Sequence, residues 1–164
     1  MIDYEYRSGP RVHSKQPDCS FISADIQIPP AKPQPKTARI GFAGHAFPTL
    51  VVEVAHQHES WALLLQDARQ KAFSRQTSVQ LVVGIKLFKN DFKVFVAKRG
   101  PHGRGMTVLR MTEKLKYNQP TRKYVLLPSR LIFWGCPSAP AHVGDGYRFP
   151  LEYYRRFLNR RNLV

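Results

Sequence analysis

A chain of 164 residues with 43% hydrophobic and 12% aromatic residues suits one domain with its own core, and is too apolar to be disordered throughout. Two cysteines, Cys19 and Cys136, with no CxxC pair, give neither a disulfide framework nor a structural zinc site, which fits a reducing compartment. The formal charge of +15 is uneven: residues 1–82 hold 9 Lys or Arg against 7 Asp or Glu (+2), and residues 83–164 hold 17 against 4 (+13). A field of one sign over half a domain attracts polyanions, nucleic acid above all. The opening MIDYEYRSGP has no apolar signal core, and no run approaches the roughly eighteen apolar residues of a membrane helix. The expected protein is therefore intracellular, cytoplasmic or nuclear, with no export signal and no membrane partner.

In chain order, residues 1–17 read as a polar, irregular segment, and 18–164 as a single domain. CSFISADIQI (19–28) predicts a short strand. The Pro- and Lys-rich PPAKPQPKTARIG, centred on 29–41, predicts a mobile loop. TLVVEVA (49–55) is a β-branched strand. ESWALLLQDARQKAFS (59–74) has apolar residues at 61, 64, 65, 68, 72 and 73, the spacing of an amphipathic helix with Ser60 as N-cap. SVQLVVGIKLF (78–88) is a second β-branched strand, so 49–88 predicts a βαβ unit with parallel strands.

Beyond it, FKVFVAKR (92–99) alternates and follows a KND turn, GPHGRG is a flexible loop, and MTVLRMTEKLKY is another strand. RKYVLLPSRLIFWG predicts a strand broken at Pro128, CPSAPAHVGDGYRFP a loop, and LEYYRRFLNRR a closing basic helix. In that helix Tyr153 and Phe157 form an apolar edge able to dock, with the arginines outward. The fold class is mixed α/β: a central mixed sheet with flanking helices.

One residue breaks the apolar pattern of its strand. Glu53 sits among Leu50, Val51, Val52, Val54 and Ala55, where an unpaired carboxylate is costly, so it is either paired or present for use. His56 and His58 are too few for zinc and suit a solvent-facing loop. GPHGRG lacks the GK[ST] ending of a phosphate loop.

Pro17–Asp18, then a strand, then Glu53 in VEVA resembles the order of the PD-(D/E)XK, restriction-endonuclease-like nuclease superfamily. KQPDCSF, PTLVVEVAHQHESWALLLQDA and QTSVQLVVGIKLF resemble its Uma-type branch and similar fungal nuclease-like sequences, with a looser match in LPSRLIFWG and FPLEYYRRFL. The resemblance implies that Asp18 and Glu53 hold Mg²⁺ or Mn²⁺ and that a lysine assists attack on a phosphodiester. Where the family has that lysine, two residues after the Glu, this chain has Ala55. Asp67, Arg69 and Lys71 occupy the following helix, and Lys86 on the next parallel strand is the better candidate for the catalytic lysine. Arg104, Arg155, Arg156, Arg160 and Arg161 are the expected nucleic-acid contacts, DNA before RNA, and a homodimer stays open. Two alternatives stand beside the nuclease: a nuclease-fold protein that binds nucleic acid without cutting it, and a basic protein-interaction or effector module.

Overall fold

The computed structural model describes residues 4–8, 11–15, 19–21, 49–73, 77, 79–103, 105–134 and 144–160. The predicted βαβ unit is present. β4 (Leu50–Ala55) and β5 (Leu81–Leu87) are parallel neighbours, with Glu53 aligned to Gly84 and Ala55 to Lys86. Between them α1 (Trp61–Asp67) runs into a π-helical turn, Ala68–Ala72. Ser60 is the N-cap, its hydroxyl accepting from the Leu63 N–H at 3.0 Å. The second strand starts three residues later than predicted because Gln80 and Leu81 both donate to the Thr49 carbonyl before the ladder begins.

β3 (Cys19–Phe21) pairs antiparallel with β4, β6 (Asp91–Arg99) with β5, and β7 (Met106–Met111) with β6. With β8 (Leu115–Lys116) against β6, these make a six-stranded mixed sheet ordered β3-β4-β5-β6-β7. Side chains of period two divide between two cores. Val51, Ala55, Val82, Phe95 and Ala97 pack under Leu64, Ala68 and Phe73 of the helical segment. Leu81, Val83, Ile85, Phe92, Val94 and Val96 pack on the other face, against Val125, Leu127, Ile132, Leu151 and Leu158. A strand covered on both faces is apolar throughout, and all seven residues of β5 are buried.

Three readings need correction. Within 1–17, β1 (Tyr4–Ser8) and β2 (Arg11–Lys15) pair antiparallel, Ser8 opposite Arg11, so the segment forms a hairpin where irregular chain was expected. Its polar residues offered no apolar run to mark the strands. GYRFP, read as loop, is β10 (Gly146–Pro150), antiparallel to β9 (Tyr124–Pro128). Its Gly and Pro fall at the strand ends, where they cost the ladder little. The strand ends at Pro128, as expected, and the chain enters a four-residue helical turn, α2 (Ser129–Ile132). Finally, α3 (Leu151–Arg160) docks through Leu151, Tyr154 and Leu158, while Tyr153 and Phe157 are 70% and 50% exposed. The i, i+3, i+7 stripe outcompetes the i, i+4 pair because it joins two leucines to the sheet.

The strand predicted over 19–28 is seen for Cys19–Phe21, and its remainder and the loop at 29–41 lie outside the described residues. Among the described residues no helix is long and apolar enough to cross a membrane.

Candidate functional site

Glu53 and Lys86 lie on the same face of the sheet. Glu53 is aligned with Gly84, and Lys86 is two residues further along β5, hence on the same side. Adjacent strands about 4.8 Å apart and a two-residue step put their Cα atoms about 8 Å apart, within reach of two long side chains. Both are buried, Glu53 at 3% exposure and Lys86 at 2%. Lys86 lies near the carboxyl end of β5, as β4 passes into the turn at His56.

That turn is built on Glu59. Its carboxylate accepts from the His56 N–H at 2.7 Å, and its own N–H donates to the His56 carbonyl at 3.0 Å. The Lys86 ammonium donates to the same carbonyl. Burial pushes the Lys86 pKa down, and the Glu59 charge partly opposes the shift. The Phe88 ring lies 5.2 Å from Nζ. The histidine rings at 56 and 58 stack at 6.4 Å, and among the described residues no group of three or more His, Cys, Asp or Glu is placed to share a metal ion.

Two neighbours escaped sequence reasoning. Lys93 stands directly opposite Lys86 on β6, a like-charge pair that would repel. Its ammonium lies instead over the Trp61 ring, 4.6 Å from the centroid. The KND turn carried the signal, since it sets the register of the β5–β6 hairpin and with it the 86–93 pairing. Gly84 is the other. A Cβ there would sit 2.0 Å from the Phe95 ring, so the glycine lets that ring lie flat across β5, in edge contact with Trp61 at 5.5 Å.

Asp18 lies outside the described residues. The next residue, Cys19, is paired with Val52, the neighbour of Glu53. Of the predicted cations, Arg104 and Arg161 also lie outside the description, as does the side chain of Arg160 at the end of α3. Arg155, 11% exposed, grips Glu152 through two donors and gives a third to the Tyr117 carbonyl, so it holds α3 to the fold. Arg156 is 62% exposed and meets Glu152 at 3.0 Å. Its guanidinium faces solvent.

No family model matches this chain, and neither a curated protein nor a solved structure does so.

Proposed function

We propose that this protein is a metal-dependent nuclease-like enzyme acting on phosphodiester bonds, DNA before RNA, with Glu53 and Lys86 at its centre. The observation that carries the reading is that a buried carboxylate and a buried ammonium share one face of a parallel strand pair, offset by two residues. Burying either charge is unfavourable, and such groups concentrate where chemistry needs them.

Glu53 offers hard oxygen donors, the kind Mg²⁺ and Mn²⁺ prefer. The second carboxylate of the resemblance, Asp18, lies outside the described residues. Such a cation, when bound, would supply Lewis-acid neutralisation of phosphate charge. Lys86, on the same face, supplies the cation that would stabilise charge developing on the phosphate. The superfamily resemblance of PD…VEVA supports the same assignment.

Incubating supercoiled plasmid with Mg²⁺ or Mn²⁺ tests the proposal, with wild type compared against Glu53→Ala of unchanged circular dichroism. Cleavage by the wild type and its loss in the variant are expected; a wild type inert with every metal sinks the reading. A second reading, a descendant that binds without cutting, has its own observation. Ala55 stands where the superfamily has its lysine, and the Lys86 ammonium is engaged with the His56 carbonyl.

A further inference from the structure

Away from Glu53, a concave groove of about 650 Å³ opens between β7 and the β9–β10 ladder. β9 buries Val125 and Leu127 and turns Tyr124 and Leu126 outward, 45% and 47% exposed. Arg148 of β10 stands opposite Leu126, and its guanidinium lies 5.1 Å from the centroid of the Tyr124 ring. Arg110 of β7, with Arg122 and Lys123 before β9, also lines the groove, together with Leu109 and Pro128. Lys123 is bonded to Glu113, whereas among the described residues no carboxylate pairs with Arg110, Arg122 or Arg148.

Three guanidinia without a carboxylate partner among the described residues, set around an exposed aromatic ring, select one class of occupant. The charge calls for a polyanion, and a forked guanidinium matches phosphate oxygens. The ring and Leu126 would gain little from a bare phosphate, but they give a nucleobase a face to lie on. Bases in a duplex are already stacked on one another, so a concave platform of this kind serves an unpaired strand.

We infer that the groove between β7 and the β9–β10 ladder binds single-stranded nucleic acid, with a base stacked at Tyr124 and phosphates held by Arg110, Arg122 and Arg148. The inference shares with the proposed function a nucleic-acid partner, but it needs neither Glu53 nor a metal.

Fluorescence anisotropy in EDTA tests it, with labelled oligothymidylate and oligouridylate of about twelve nucleotides, in the range of known single-strand sites, and a duplex of equal length. The better single strand should bind more tightly than the duplex. Tyr124→Ala should weaken it about 5- to 100-fold, and Tyr124→Phe, which keeps the ring, should bind like wild type. Arg110→Gln with Arg148→Gln should make the slope of log affinity against log salt shallower by about 1.4. Equal or tighter duplex binding, or an unchanged affinity in Tyr124→Ala, overturns the proposal. Because EDTA removes any cation, failure here leaves the reading of Glu53 standing, and a plasmid left intact leaves the groove standing.

Discussion

Lys86 and Glu53 point to the same side of a parallel strand pair, offset by two residues, and the Lys86 ammonium is fastened to the His56 carbonyl just beyond β4. These are two buried ionisable residues on one face, and their roles in the proposed function can be separated by substitution. Glu53→Ala is expected to lower metal-dependent cleavage by at least about 100-fold, the several kcal/mol that a bound cation supplies. Lys86→Met should lower it about 100-fold by removing one charged donor. Single-turnover rates on a labelled substrate read both.

Stability should move differently from activity at Lys86. Its pKa is lowered in the folded protein, so between that value and the ordinary lysine range the unfolded chain holds more protons than the native one. Stability contributed by this group therefore rises with pH across that window. Lys86→Met should remove that rise. Urea unfolding of both proteins as pH is raised measures it.

Gly84→Ala is expected to destabilise by about 1–3 kcal/mol, since the new methyl meets a fully buried ring that has nowhere to go. Combining it with Phe95→Leu should cost less than the sum of the two single changes. A strictly additive result would mean that the ring and the glycine are not in conflict.

Arg99 supports the connection into β5. Its guanidinium donates to the carbonyls of Val79 and Thr77 at 2.8 Å and of Phe73 and Gly103 at 3.3 Å, and to the Thr77 hydroxyl at 2.9 Å. Arg99→Ala should cost about 3 kcal/mol by leaving several of these acceptors unsatisfied, and Arg99→Lys should recover only part of it because an ammonium lacks the fork. Thermal unfolding of the two variants ranks them.

Acid should loosen α3. Hydrogen bonds from Arg155, then from the Thr121 N–H and Arg156, hold the Glu152 carboxyl well below the usual carboxylate range. A depressed folded pKa contributes stability that is present above the ordinary glutamate value and lost as pH falls through the folded one. Glu152→Gln should be less stable than wild type at neutral pH, with the gap closing at low pH. A gap that persists in acid would assign the effect to packing rather than charge.

How much of this was legible in the chain differs from element to element. The β4–α1–β5 unit was, because its strands are continuous β-branched runs and its helix repeats apolar residues at helical spacing, both local signals. Glu53 stood out for the same reason, as one carboxylate in an apolar run. β10 and the N-terminal hairpin were not legible, since their ladders rest on partners that their own residues do not announce.

Charge distribution, the central βαβ unit and the two chemically conspicuous residues on its strands were determined by the sequence alone, through patterns a few residues long. Tertiary structure decided which face of α3 docks, which turned Arg155 from an expected phosphate contact into an anchor for that helix. It also decided that Lys93 meets Lys86, and that Arg110, Arg122 and Arg148, drawn from three separate segments, line one groove with Tyr124. Local periodicity specifies what a segment presents, but its neighbours are chosen by competition among all such faces for burial, and only the folded chain resolves that competition.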